Sequence, residues 1–264
     1  MSKPVVFLDL SCFIFHRFFA MQSWMKLSKQ TFEATQMLSK YGLLFESNIQ
    51  SFKKDLGFEW KDLYICKDCP RDTIWRLSHF AEYKKNRDEK KTNFDPSVFP
   101  YTYEKILPEM ISKYGCNLVE YPCAEADDVI AVLKNKIRQA LPDRKIVIIT
   151  NDNDYLQLLD GHTEIINPSR RHIKERIPEE FKCCPALFVE WKVIKGDKSD
   201  NIPSIAKRLG DKTAAKLALD KNALQKVLDA DRDALTQYKN NKKLIMFDEL
   251  PEDIVTGIQA LVSI

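Results

Sequence analysis

Residues 146–154, IVIITNDND, decide the reading of this chain. Ile146 to Ile149 are four consecutive aliphatic residues with β-branched weight, the pattern of a short strand buried on both faces. Such strands belong to parallel sheets covered by helices. The run stops at Thr150 and Asn151, and two carboxylates follow, Asp152 and Asp154, with no basic residue between them. In open α/β sheets, chemistry gathers where loops leave the carboxyl ends of the strands. A buried strand ending in two acids predicts a cation site there.

The pattern recurs to either side. Residues 4–10 (PVVFLDL) predict a strand that delivers Asp9, and Leu63–Cys66 predicts a third, with Asp68 two residues on. Residues 117–121 (NLVEY) lead through Pro122 and Cys123 into a helix whose first turn carries Glu125, Asp127 and Asp128. Acids suit a helix N-terminus, but three in four residues exceed what capping needs. Helical spacing puts Glu125 and Asp128 on one face, with Asp127 offset toward the neighbouring loop. Asp197 and Asp200 form a further pair in the loop 195–203.

Between these acids, helices are expected at 11–23, with Phe15, Phe18 and Phe19 against the sheet, and at 31–56. The second has Phe32, Met37, Leu38, Leu44, Phe45, Ile49 and Phe52 inward. Others are expected at 100–114, 155–159 and 178–195 and in pieces to Ile264. Residues 161–167 and 171–177 read as a hairpin with a basic second strand (Arg170, Arg171, Lys174, Arg176). Residues 71–91 interleave Arg71, Arg76, Lys84, Lys85, Arg87, Lys90 and Lys91 with Trp75, Phe80 and Tyr83. Charge runs are usually solvated faces; aromatics among the cations favour a segment that grips nucleic acid.

The 264 residues, 44% hydrophobic and 30% charged, fit a globular protein. A net charge of +3 is too small to identify a nucleic-acid partner by itself. No run approaches the ~20 apolar residues of a membrane span. Asp9 and His16 interrupt the one stretch that resembles a signal peptide. Seven cysteines without framework spacing suggest a reducing, intracellular compartment, the host cytoplasm if the source is viral. Cys66, Cys69, Cys183 and Cys184 make poor zinc-chelate geometry.

If Asp9, Asp68, Glu125, Asp127, Asp128, Asp152, Asp154, Asp197 and Asp200 share one crevice, they cannot all ionise without cations. All-oxygen ligation points to Mg²⁺, with Mn²⁺ able to substitute. A cluster this acidic beside a basic, aromatic segment suits phosphodiester hydrolysis with two ions about 3.5–4 Å apart. His16, His79, His162 and His172 show no H-E-x-x-H spacing, and Walker A and G-x-G-x-x-G motifs are absent.

Residues 124–129 (AEADDV), 150–159 (TNDNDYLQLL) and 196–203 (GDKSDNIP), with Asp9, Asp68 and 82–87 (EYKKNR), resemble the signature blocks of the 5′ nuclease superfamily. That superfamily includes flap endonucleases and the 5′ nuclease domains of type-A DNA polymerases. Y-K-K-N-R, the late Y-K-N-N at 238–241 and F-D-E-L-P-E-D-I at 247–254 are most similar to its T-even-phage ribonuclease H branch. The resemblance implies a PIN-like (Rossmann-like) α/β core over 1–180 with a mainly parallel sheet. It also implies a basic helical arch at about 71–100 and a helix-hairpin-helix-like duplex-binding module over 181–264.

By the same resemblance, Asp9, Asp68, Glu125, Asp127 and Asp152 serve a first metal site, Asp152 bridging both ions. Asp154, Asp197 and Asp200 serve a second, with Asp128 nearby. Lys84 and Arg87 meet the scissile phosphate, Tyr83 stacks, and Arg76 and Lys85 add contacts to nucleic acid. Where relatives carry a Gly-rich hairpin, residues 204–210 hold a single glycine; Lys207, Arg208 and Lys212 are expected to replace its amide contacts by charge. The implied partners are DNA and RNA–DNA duplexes with a 5′ end, nick or flap, bound by a monomer with no membrane role. Contacts to a single-strand-binding protein or a sliding clamp are left open, and residues up to Ile264 show no clamp-binding pattern.

Three rivals remain. An inactive nucleic-acid-binding homologue would have lost acids that are all present here. A phosphatase using Asp9 as nucleophile would want Asp where Ser11 stands. A PIN-type single-strand ribonuclease would need neither the arch nor the residues after 180.

Overall fold

The computed structural model describes residues 2–29, 33–87 and 93–263. Phe32, Lys90 and Lys91 lie outside them. Five strands form one parallel sheet: β1 (Val5–Asp9), β2 (Leu63–Cys66), β3 (Asn117–Val119), β4 (Ile146–Ile149) and β5 (Thr163–Ile166), in the order β3-β2-β1-β4-β5. The chain lays β2 and β3 on one side of β1, then returns to place β4 and β5 on the other. Register pairs Asp9 with Cys66 and Leu8 with Ile149, so the carboxyl ends of β1, β2 and β4 are level. Strand order reverses between β1 and β4, which opens a crevice at that edge. The apolar runs have no polar alternation because both faces are covered.

The helices are α1 (Leu10–Ser28), α2 (Ala34–Leu56), α3 (Arg76–His79), α4 (Val98–Tyr101), α5 (Leu107–Tyr114) and α6 (Ala126–Ala140), followed by α7 (Ala186–Lys195), α8 (Asp211–Leu219), α9 (Lys221–Ala230), α10 (Arg232–Ile245) and α11 (Glu252–Ala260). On one face, Phe13, Phe18, Phe45, Phe52 and Met110 of α1, α2 and α5 pack over Val6, Leu8, Ile65, Val147 and Ile149. On the other, Val129 and Leu133 of α6 share a core with Val5, Phe7, Ile146 and Ile148. Phe188, Ile194, Leu228 and Ile258 of the later helices join that same core, so packing is continuous across residue 180.

Several local expectations are corrected. Helix α1 runs to Ser28 and buries Phe18, whereas Phe15 and Phe19 are exposed and touch Phe94 instead. The hairpin over 161–177 reduces to a single bridge, Ile166 with His172. Asn167 accepts the Ser169 and Arg171 amides, both at 2.9 Å, and turns the chain too tightly for a second strand. Ile173–Arg176 then form a helical turn that buries Ile173, and Ile177 is buried just after it. The helix expected over 178–195 breaks before Pro185, which can enter a helix only at its start; α7 begins just after it. Among its described residues, the expected arch is helical in the turn Arg71–Thr73, in α3 and in the single turn Lys85–Arg87 before α4 begins.

Candidate metal centre

Asp9 ends β1 and caps α1: one oxygen accepts the Cys12 amide at 3.1 Å, the other the Thr150 hydroxyl at 2.8 Å. Asp68 accepts the Ala126 amide at 2.8 Å and the Ser11 hydroxyl, which ties the β2 loop to the start of α6. Asp152 caps the turn Asn153–Leu158 by accepting the Asp154 amide at 2.9 Å. Burial first, then the nearby Asp68, pushes the Asp9 carboxyl up to about 7. The switch point between β1 and β4 is thus a place where negative charge is costly.

A second group sits at the start of α6, where ligand oxygens of Glu125, Asp127 and Asp128 lie within 4.8 Å of one another. Here the structure separates residues that sequence grouped. Asp128 is fully buried and takes a bidentate pair from Arg76, Nη1 at 2.9 Å and Nη2 at 2.7 Å. It also accepts Trp75 Nε1 at 2.9 Å and the Glu125 amide at 3.1 Å. Asp128 is therefore the member of this group held in a fully buried, bidentate ion pair. Arg76 is 1% exposed, with Nε on the Leu244 carbonyl at 2.8 Å and Nη1 on Glu125 at 2.9 Å. Tyr83 is also buried, donating to Glu125 at 3.0 Å. Neither Arg76 nor Tyr83 presents a surface to nucleic acid; both brace the carboxylates. Burial opposes ionisation of Glu125, but Lys84 and Arg76 outweigh it and hold its carboxyl at about 2.

The third group brings oxygens of Asp154, Asp197 and Asp200 within 4.8 Å of one another. The loop carrying the last two closes on itself, Asp197 and Ile202 exchanging backbone bonds at 2.9 and 2.8 Å. Gly196 makes this possible: at φ +78° its missing Cβ would stand 2.4 Å from the Ile202 oxygen. The segment after α3 docks on this loop, the Lys84 amide donating to the Asp200 carbonyl at 2.9 Å and Asn201 Nδ2 to the Glu82 carbonyl at 2.8 Å. Lys84 Nζ pairs with Glu125 and lies 3.9 Å from Asp200, while Arg87 pairs with Asp200. These two cations therefore stand between the second and third groups.

Lys192 was not foreseen. Rising from α7, it reaches Asp154 at 2.5 Å and Asp197 at 2.7 Å. Its only sequence signal is its place one turn before Gly196. Lys85 is exposed and pairs with Glu82 at 2.9 Å. Lys207, Arg208 and Lys212 are exposed where the chain enters α8, and Arg208 helps line a cleft of about 530 Å³ with Asn86, Lys195 and Lys198. Cys66 and Cys69 are buried while Cys183 and Cys184 are exposed, and among the described residues no cysteine joins a group that could hold a metal ion.

Hard oxygen donors, crowded and short of positive charge, fit a divalent cation such as Mg²⁺. Burial pushes the Asp154 carboxyl up to about 7 against the pull of Lys192, and Asp152 adds to the rise. A carboxyl raised in this way contributes stability at low pH and loses it as pH climbs from 3.8 through about 7. Glu125, held at about 2, works in the opposite sense, its contribution being lost as pH falls from 4.5 toward 2. The urea midpoint of the metal-free protein is expected to fall between about pH 4 and pH 8, and millimolar Mg²⁺ to restore it at pH 8. A midpoint that rises over that range in chelator would contradict the electrostatics.

Strand-end carboxylates at the switch point of a parallel sheet define a PIN-like, resolvase-type α/β protein. Residues 4–182 match the family of the 5′-3′ exonuclease N-terminal, resolvase-like domain, and the chain belongs to that family. It is 28% identical over 215 residues to a 5′-3′ exonuclease of Buchnera aphidicola, covering 81% of this chain and 69% of that protein. It is 32% identical over 184 residues to DNA polymerase I of Lactococcus lactis, covering 67% of this chain but only 20% of the polymerase. The chain thus spans about a fifth of that polymerase's length. Among solved structures it is similar to bacteriophage T5 5′-exonuclease with bound zinc, with a TM-score of 0.68, 18% identity and coverage of 98% of this chain and 97% of that one. A T5 flap endonuclease complex with DNA and metal ions matches with the same scores. That likeness extends the fold match through the helices after residue 182.

Proposed function

We propose that this chain is a divalent-metal-dependent, structure-specific 5′ nuclease. On this reading it hydrolyses 5′-ended strands of nicked or flapped duplexes, including the RNA of RNA–DNA hybrids, as in primer removal. The observation that carries the proposal is a pair of carboxylate triads, Glu125 with Asp127 and Asp128 and Asp154 with Asp197 and Asp200, linked by Lys84 and Arg87 and accompanied by the strand-end acids Asp9, Asp68 and Asp152. Asp9, Asp68 and Asp152, with Glu125 and Asp127, would hold one Mg²⁺, and Asp154, Asp197 and Asp200 a second. Bound there, such ions supply Lewis-acid charge for attack of water on phosphorus and departure of the 3′ oxygen.

The chain's own part is to place the phosphate. Lys84 and Arg87 have the reach and charge to take its non-bridging oxygens once the carboxylates are neutralised. Arg208, Lys207, Lys212 and Lys198 offer an exposed basic margin for the duplex backbone. The helices after residue 180, which share the sheet's core, argue against a free-standing PIN-type ribonuclease.

A 5′-labelled DNA flap and an RNA-primed hybrid, with Mg²⁺ or EDTA, test the proposal in wild type and Asp152→Ala. Cleavage that needs Mg²⁺ and falls by about 10³-fold or more in the variant is expected. Cleavage in EDTA, or full activity in the variant, sinks the reading.

A further inference from the structure

The three acidic groups differ in how the chain itself neutralises them. Arg76 and Lys84 sit on Glu125 and Asp128, and Arg87 and Lys192 sit on Asp154, Asp197 and Asp200. Among the described residues, Asp9, Asp68 and Asp152 have hydrogen-bond donors but no ion pair.

Lys192 is built in place. Its side chain is 12% exposed, and its carbonyl accepts the Gly196 amide at 2.7 Å where α7 ends. Val189 and Val193 on either side of it are fully buried. An ammonium this buried must be paired. Its two ion-pair partners, Asp154 and Asp197, are both acids of the second metal site, and Asp152 feels its charge only from beyond ion-pair distance. Side-chain length lets Lys192 withdraw, whereas the loop that carries Asp197 is closed by its own backbone bonds.

We infer that Lys192 is the tethered cation of the second site. It holds Asp154 and Asp197 together when no ion is bound, and a divalent ion must compete with it for the same oxygens. The inference rests on the metal-centre reading above. Ion binding should then fall into two classes, tighter around Asp9, Asp68 and Asp152 and weaker around Asp154, Asp197 and Asp200. The gap between the classes is set by the lysine. Removing the charge without removing the volume would close that gap.

Mn²⁺ titration, followed by the electron-paramagnetic-resonance signal of the free ion, tests this without any nuclease assay. Lys192→Met is expected to tighten the weaker class by about 10-fold or more and to leave the tighter class within about 3-fold. Lys192→Arg, which keeps the charge, should leave both classes near wild type. A weaker class that is unchanged or weakened in Lys192→Met overturns the inference. Failure of wild type to bind Mn²⁺ at all overturns the metal centre instead. Should Lys192→Met not fold without metal, lysine acylation of wild type read by mass spectrometry decides. Lys192 must become more reactive as the weaker class fills, and flat reactivity through that range rejects the role.

Discussion

Arg76→Met is expected to destabilise the protein by about 3–5 kcal/mol, because it strands the buried Asp128 carboxylate without its partner. Four donor contacts converge on Asp128, and two of them come from this one guanidinium. Arg76 also donates to the Leu244 carbonyl in α10, so the substitution cuts a tie between the segment after β2 and the C-terminal helices. Burial alone would make the guanidinium hard to ionise, yet Asp128 and its neighbours keep it charged. Adding Asp128→Asn removes the stranded charge, and the double variant should regain at least about half of the loss. Urea unfolding at pH 7 measures both. A single-variant loss below about 1 kcal/mol, or strict additivity in the double, would mean the pair is not what holds this corner.

That buried pair marks where sequence reasoning stopped. The strands were legible because burial on both faces leaves no polar residue inside them, and IVII admits no other comfortable reading. The acids were legible for a related reason: capping explains a carboxylate after one buried strand, as at Asp9 and Asp152, but not its recurrence after three. Their individual jobs were not. Asp127 and Asp128 are adjacent and chemically identical, and only the position of Arg76, about fifty residues away in the chain, pairs one bidentately and leaves the other at 4.0 Å. Arg76 and Tyr83 looked like a cation and an aromatic poised for nucleic acid. Composition cannot tell a gripping segment from one folded down on an acidic crevice, since both want the same side chains. Lys192 was invisible because a lysine near a helix end is ordinary until its partners are known. The hairpin failed on a single side chain, Asn167, whose two amide contacts outcompeted strand pairing.

Asp9→Asn should separate stability from activity in opposite directions. With its carboxyl pushed up to about 7 by burial and Asp68, ionising Asp9 in the folded protein costs on the order of 4 kcal/mol relative to the unfolded chain. Asparagine keeps an oxygen for the Cys12 amide and presents an amide to Thr150 Oγ1, which already accepts from the Asp152 amide at 3.1 Å. Part of the gain is lost at that rearranged contact. In chelator at pH 8 the variant should therefore be more stable than wild type by about 1–3 kcal/mol, with little difference at pH 4. Mg²⁺ should stabilise it less than it stabilises wild type, because one carboxylate of the tighter class is gone. Cleavage of a flap substrate should fall by about 10³-fold or more. Residues kept for chemistry at the expense of the fold behave this way, while residues kept for the fold, such as Arg76, lose stability when changed. An Asp9→Asn variant less stable than wild type at pH 8, or one that keeps a tenth of its activity, would place Asp9 in the second class.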